Sequence, residues 1–196
     1  MSVVLVDAGG TNIGSVRFAL QRLGVDPVLS SDASTIRAAS HVIMPGAGAA
    51  APGMRRLREN GLVDLVRSLQ QPVLGICLGM QLLFERSEES DTQCLGIVPG
   101  QVRRLKTRAG LRVPHMGWNT LAIPRDNALF SADDDASHAY FVHGYAAPVA
   151  DGTLAQSSHG DTFSAAVQRG NFFGVQFHPE RSSALGARVL QRFLAL

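Results

Sequence analysis

Short apolar runs, each closed by a turn, alternate with helix-periodic stretches through the first half of this sequence, and that rhythm restricts the fold more than any other feature. Val3–Val6 is continuous apolar sequence running into Asp7-Ala8-Gly9-Gly10, the pattern of a strand buried on both faces that enters a tight turn. Ile13, Val16, Leu20 and Leu23 follow at helical spacing, and Gly24 supplies a stop. Val28 and Leu29 form a second short strand and His41–Met44 a third, closed by Pro45-Gly46-Ala47-Gly48. Residues 54–69 place Met54, Leu57, Leu62, Leu65, Val66 and Leu69 on one helical face opposite arginines and Glu59, with Gly61 only a slight weakness. Val73–Ile76 reads as the next buried strand and 78–85 as a helix. Such alternation predicts an α/β fold: a parallel sheet with helices on both faces.

The second half has another texture. Between Cys94 and Gln176, short apolar runs are separated by Gly, Pro, Asn and Asp. Strands are predicted at 102–105, 121–123, 140–142, 154–156, 163–167 and 173–177, several of them in hairpins. Residues 183–196 close the chain as a helix on Leu185, Val189, Leu190, Phe193 and Leu194. With no repeat and no linker, and 45% hydrophobic against 17% charged residues, the 196 residues suit one domain, 1–196, with a full core.

Composition also narrows the function. A net charge of +2 leaves no bulk footprint for nucleic acid, and Arg103, Arg104, Lys106 and Arg108 read as a solvated strand edge or hairpin. No apolar run approaches the ~18 residues that span a bilayer, and the N-terminus lacks the pattern of a signal peptide. Two cysteines, Cys77 and Cys94, make no disulfide framework and fit a reducing cytoplasm.

Three stretches carry chemistry. Gly75-Ile76-Cys77-Leu78-Gly79 has the form glycine, any residue, nucleophile, any residue, glycine between a strand and a helix, the context of a nucleophile elbow. The turn lifts the sulfur out of the sheet beside a helix N-terminus, where the dipole and free N–H groups favour thiolate; a buried structural thiol is the alternative. In His178-Pro179-Glu180, which follows an apolar strand, extended geometry puts residues two apart on one side, so the carboxylate can orient the imidazole. An exposed strand end is the alternative there. Pro45-Gly46-Ala47-Gly48 offers N–H groups for an oxyanion hole around Ala47, completed by the Leu78 N–H, or is an ordinary turn. Neither it nor residues 9–15 has phosphate-loop spacing. Together the three supply nucleophile, base, orienter and oxyanion donors at strand ends of one sheet.

On these residues the chain resembles the class I glutamine amidotransferases, which use triads of Cys, His and Glu. Most specifically it resembles the glutaminase subunits of imidazole glycerol phosphate synthase, from histidine biosynthesis. The elbow with Met80-Gln81-Leu82-Leu83, the Pro45–Gly48 stretch, Tyr140-Phe141-Val142-His143-Gly144-Tyr145 and Gly174-Val175-Gln176-Phe177-His178-Pro179-Glu180-Arg181-Ser182 carry the resemblance, and Pro114-His115-Met116-Gly117-Trp118-Asn119 singles out the subunit. The resemblance implies a flavodoxin-like three-layer fold with a mostly parallel central sheet and an antiparallel extension. It implies a hydrolase with Cys77 as nucleophile, His178 as acid and base and Glu180 as orienter, and no cofactor or metal. Gln81 and Glu89 would hold the substrate's amino-acid end, with backbone of Gly46, Gly48, Gly144 and Tyr145. The partner would be a barrel cyclase subunit in a heterodimer acting as a lyase, with Asn12, Trp118 and Arg181 near the interface; for Trp118, core packing is the other reading.

Against the family pattern, Ala8 stands where an aromatic is frequent, Thr11 where a Gly is frequent, and Gly144 where a small hydroxyl residue is common. His41, His138 and His159 read as surface or turn residues, and His115 and His143 as motif residues that need not titrate. Cys94 reads as a structural thiol and Asp133-Asp134-Asp135 as a solvated loop. The rivals are a glutaminase serving another amidotransferase, a thiol hydrolase on the same fold, and a non-catalytic binding module. The Pro114–Asn119 stretch argues against the first, Gln81 and Glu89 against the second, and the intact triad against the third.

Overall fold

The computed structural model describes residues 1–7 and 12–196, so the expected turn at Ala8-Gly9-Gly10 and the departures at Ala8 and Thr11 lie outside the described residues. The first half runs β1 (Val3–Val6), α1 (Ile13–Arg22), β2 (Val28–Ser30), α2 (Ala33–Ala38), β3 (His41–Met44), α3 (Ala50–Glu59), α4 (Leu62–Ser68), β4 (Val73–Ile76) and α5 (Leu78–Leu82). It continues with β5 (Phe84–Ser87), β6 (Thr92–Gln93), β7 (Val98–Arg104), β8 (His115–Thr120), β9 (His138–His143), β10 (Tyr145–Ala146), β11 (Thr153–His159), β12 (Asp161–Arg169), β13 (Phe172–Val175) and α6 (Ser183–Leu194).

Among the described residues the main sheet has seven strands in the order β11-β12-β13-β4-β3-β1-β2. The five from β13 to β2 are parallel to their neighbours, and β12 and β11 extend the sheet antiparallel. β1, β3 and β4 are buried at every residue, as strands covered on both faces must be. Successive residues therefore feed different cores: Val3 and Leu5 join α1 and α6 on one face, while Val4 and Val6 join α2, α3 and α4 on the other. The result is the three-layer α/β arrangement. No helix among the described residues is long and apolar enough to cross a membrane.

Four local expectations differ from the structure. The helix at 54–69 is two helices. Asn60 caps α3, and Gly61 adopts a left-handed φ of +65° before α4 begins. α3 also starts earlier than the apolar face does, because Pro52 stands in its first turn, where its missing N–H costs nothing. The helix at 78–85 stops at Leu82, since the carbonyl of Leu83 accepts from the N–H groups of Ile97 and Val98 and the chain turns into β5 of a second sheet. α2 escaped notice because six residues with Ile36 as their one buried position carry little periodicity; its Asp32 cap, accepting from the Thr35 N–H at 2.7 Å, was the available sign.

The strand expected at 121–123 is only a bridge from Ala122 to Gln156, and the true strand, β8, lies just before it. β8 was hidden because its pattern is inverted. His115 is buried, while Met116 and Trp118 point to solvent.

Two polar sites also depart from expectation. Asp134 is not a solvated residue. Its side chain is fully buried between Arg188 at 2.8 Å and Arg192, both from α6, and fastens that helix to the 132–134 turn. His41 is buried too, its ring set edge-on to Phe193 at 5.4 Å.

Candidate active site

The three chemistry-bearing stretches converge because they leave the C-terminal ends of three adjacent parallel strands. β3 runs into Pro45–Gly48, β4 into Cys77, and β13 into Gln176-Phe177-His178. Cys77 is held at φ 51°, ψ −106°, a strained conformation for a residue with a side chain. Its N–H donates to the Val175 carbonyl at 2.8 Å, which ties the turn to β13. The flanking glycines are steric necessities. A Cβ on Gly75 would lie 2.6 Å from the backbone of Gly79, and one on Gly79 would lie 1.9 Å from the Met44 carbonyl oxygen. Only bare backbone lets strand and helix meet this closely.

His178 is anchored by its N–H to the Tyr140 carbonyl at 2.9 Å, and its own carbonyl accepts from the Ser182 hydroxyl at 2.7 Å. Nδ1 lies 2.8 Å from Oε1 of Glu180, whose side chain is fully buried. The two meet through a tight 3-10 turn at Pro179–Arg181 rather than along an extended segment, so the expected pairing holds by a different route. Burial alone would push the imidazole down, but hydrogen bonds and charge attraction to Cys77 and Glu180 outweigh it and raise His178 to about 10. The ring lies between a sulfur on one side and a carboxylate on the other, a setting that favours its charged form. The sulfur also lies 3.7 Å from the Val142 carbonyl and 3.7 Å from Nε2 of Gln176.

Asn12 stands beside the catalytic pair. It is half-buried, and its Nδ2 donates to Oε1 of Glu180 while standing 3.2 Å from Nδ1 of His178. Since the ring N–H is spent on the carboxylate, the amide can donate only to Glu180, and it braces the back of the His178–Glu180 pair. Trp118 is 53% exposed, which removes the core-packing reading, and its ring meets Tyr140 edge-on at 5.8 Å. The Arg181 guanidinium lies over the other ring of that pair, 4.6 Å from the Tyr140 centroid.

The Pro45–Gly48 loop packs against the elbow. A Cβ on Gly46 would lie 2.7 Å from both the Gly79 nitrogen and Leu78 Cβ, so Ala47 follows directly beside the first turn of α5. Leu78 is the first residue of that helix, and its N–H has no partner within the helix by construction. Gly48 takes φ +120°, open only to glycine.

Beyond the loop, Oε2 of Glu89 accepts from the Ala50 N–H at 2.7 Å. Gln81 is buried and donates to the Tyr145 carbonyl at 2.9 Å and to Oε1 of Gln176 at 3.0 Å. The carbonyls of Gly144 and Tyr145 are both occupied, by the Leu105 N–H and by Gln81 with His143.

Sequence reasoning passed over Gln176 and Tyr140. An amide inside the apolar run Phe172–Phe177 was the available sign for the first, and an aromatic beside Phe141 and Val142 for the second. Cys94 is the inert thiol expected, since burial raises it to about 11. Among the described residues no group of three or more His, Cys, Asp or Glu is placed to hold a metal ion.

The family model for glutamine amidotransferase class-I matches residues 4–196. An imidazole glycerol phosphate synthase subunit HisH from Xanthomonas axonopodis pv. citri is 56% identical over 194 residues, covering 99% of this chain and 97% of that protein. A protein of the same name from Xylella fastidiosa is 53% identical over the same spans. Among solved structures, a crystal structure of a glutamine amidotransferase aligns with a TM-score of 0.76 at 23% identity, covering 99% of this chain and 98% of that one, a likeness of fold.

Proposed function

The chain belongs to the class I glutamine amidotransferases, and on that premise we propose that it is the glutaminase subunit of an imidazole glycerol phosphate synthase. It hydrolyses glutamine to glutamate and ammonia, and hands the ammonia to a cyclase subunit that makes imidazole glycerol phosphate and aminoimidazole carboxamide ribotide in histidine biosynthesis. The observation that carries the reading is the convergence of Cys77, the His178–Glu180 pair and the Gly46 loop at three neighbouring strand ends.

In this reading the Cys77 sulfur attacks the side-chain carbonyl carbon of glutamine. The developing oxyanion is met by N–H groups of Leu78 and Ala47. His178 gives its proton to the departing ammonia, then draws a proton from the water that cleaves the thioester. Glu180, braced by Asn12, keeps Nδ1 protonated so that Nε2 faces the sulfur. Glu89, beside the loop, and Gln81 receive the amino-acid end of the substrate.

The inverted hairpin of β8 and β9 supports the partner assignment. Met116 and Trp118 expose apolar surface beside Tyr140 and Arg181, at the mouth formed by the residues after β13. A nucleophilic thiol needs a reducing setting, which is why we place the protein in the cytoplasm. The whole chain acts as one domain, with no cofactor required for the chemistry.

The test is glutamate release by the wild-type chain and by Cys77→Ser, each with and without a cyclase subunit and its ligand. Wild type should respond to the partner and Cys77→Ser should release no glutamate while staying folded. Equal release by the two proteins sinks the triad; full activity of the lone chain, indifferent to the cyclase, sinks the partner reading.

A further inference from the structure

Gln176 is fully buried directly after β13, and one of its side-chain atoms touches the Cys77 sulfur at 3.7 Å. A side-chain amide can be placed either way round, so its chemistry there depends on an independent anchor. The Tyr145 carbonyl provides it, because a carbonyl oxygen only accepts. The Gln81 atom 2.9 Å away must then be its nitrogen. That nitrogen spends its second hydrogen on Gln176 at 3.0 Å, so Gln176 presents oxygen to Gln81 and nitrogen to the sulfur.

The same carbonyl fixes two histidines. Nδ1 of His143 lies 2.9 Å from it and must carry hydrogen. Nε2 of His143 is therefore bare and accepts from Nδ1 of His115 at 3.0 Å. Nε2 of His115 in turn accepts from the Asn119 amide at 3.2 Å, whose other hydrogen goes to the Ser158 carbonyl at 2.8 Å. The donors run from the hairpin edge to the Tyr145 carbonyl, which accepts from both His143 and Gln81, and from Gln81 on to the elbow.

We propose that His115, His143, Gln81 and Gln176 form a hydrogen-bond relay joined at the Tyr145 carbonyl, in which Gln176 positions and stabilises the Cys77 thiolate, and the two histidines are positioning residues acting through that carbonyl. The proposal rests on the glutaminase reading and deepens it. Because both hydrogens of the Gln81 amide are spent, the oxygen is the only atom of that group left to meet a bound glutamine, and it selects the substrate's ammonium.

The relay needs both histidines neutral, since a proton on Nε2 of His143 would face the N–H of His115. Burial supplies that condition. It lowers His115 to about 4, helped by His159 stacked at 4.2 Å. It lowers His143 to about 3 against the pull of the Tyr145 carbonyl, with His115, His159 and His178 adding in the same direction.

The experiment combines iodoacetamide alkylation of Cys77 across pH, followed by intact mass on the full chain, with glutaminase kinetics in the complex with the cyclase subunit. Cys94, 2% exposed and titrating near 11, does not compete. The other charged group facing the sulfur, His178 backed by Glu180, is unchanged in every variant. In Gln176→Met the alkylation inflection should rise by about one pH unit and kcat fall roughly tenfold, the scale of a lost hydrogen bond to a charged group. His115→Phe should move the inflection the same way by less and raise KM, because His143 loses its donor and the Tyr145 carbonyl that holds Gln81 shifts. His115→Asn, which keeps a donor near the place of Nδ1, should restore both.

A Gln176→Met profile that superimposes on wild type overturns the proposal. So do His115→Phe and His115→Asn variants that behave alike. If His115→Phe does not fold, Gln176→Met and His115→Asn still decide. A wild-type chain that alkylates normally but hydrolyses no glutamine with its cyclase refutes the glutaminase reading instead, leaving the alkylation shift to judge the relay.

Discussion

Gly79→Ala puts the elbow's geometry to a quantitative test. The added Cβ would stand 1.9 Å from the Met44 carbonyl oxygen, and that oxygen belongs to β3, not to a side chain that could swing aside. This is about 1.5 Å short of an ordinary carbon–oxygen contact of roughly 3.4 Å. α5 must therefore lift off β3 by more than an ångström or the strand must yield. Overpacking of this kind costs about 1–3 kcal/mol, partly offset by the better helix propensity of alanine. The larger effect is on rate. Leu78 and Cys77 ride on the same turn, and a displacement of about 1 Å at reacting groups costs roughly a hundredfold. The assay pairs thermal unfolding with glutamate release in the presence of the cyclase subunit. Gly14→Ala is the control, since Gly14 sits in α1 and no atom of the described residues lies within 4 Å of its added Cβ. The control should unfold slightly later and turn over normally. A Gly79→Ala enzyme with wild-type rate and unchanged Tm would show that close approach of helix and strand does not set the elbow.

Four further outcomes are expected. Glu180→Ala leaves burial opposed by the sulfur alone, so His178 should titrate well below about 10 and kcat at pH 7 should drop roughly 10- to 100-fold. NMR titration of the ring checks this. In the wild type the raised value makes the His178 contribution to stability complete below the ordinary 6.5 and lost as pH climbs through about 10, and an unfolding series from pH 6 to pH 11 should show that loss. Trp118→Ala should leave the Tm of the chain unchanged but weaken cyclase binding by roughly 30-fold, as a central aromatic anchor does; calorimetry of the complex decides it. Asp134→Asn should cost roughly 2 kcal/mol at pH 7, where the carboxylate bridges two guanidiniums. Burial pushes Asp134 up, but the Ser131 N–H, Arg192 and Arg188 hold it below the usual carboxylate range. Its contribution is thus lost as pH falls through that lowered value, and the gap between the two proteins should close in acid.

Legibility in the sequence followed the range of the forces involved. β3 and β4 were readable to the residue because a strand buried on both faces leaves an unbroken apolar run. The elbow was readable because two glycines and a nucleophile record a steric collision that only bare backbone avoids. Where the outcome depended on a neighbour distant in the chain, the sequence was mute. His41 and Asp134 look like surface residues until Phe193 and the arginines of α6 arrive beside them. β8 looked irregular because it turns its apolar side outward.

The alternation of buried strand and amphipathic helix, and the candidate nucleophile, base and orienter, were legible from residue order alone, since periodicity and close backbone contact act over a few positions. Which atoms face the sulfur was decided only by tertiary structure. Asn12 and Glu180 are 168 residues apart, and Gln176 and Cys77 are 99 apart. A hydrogen bond across such a span leaves no periodic trace, because its direction and partner are fixed by where the sheet brings two strand ends together.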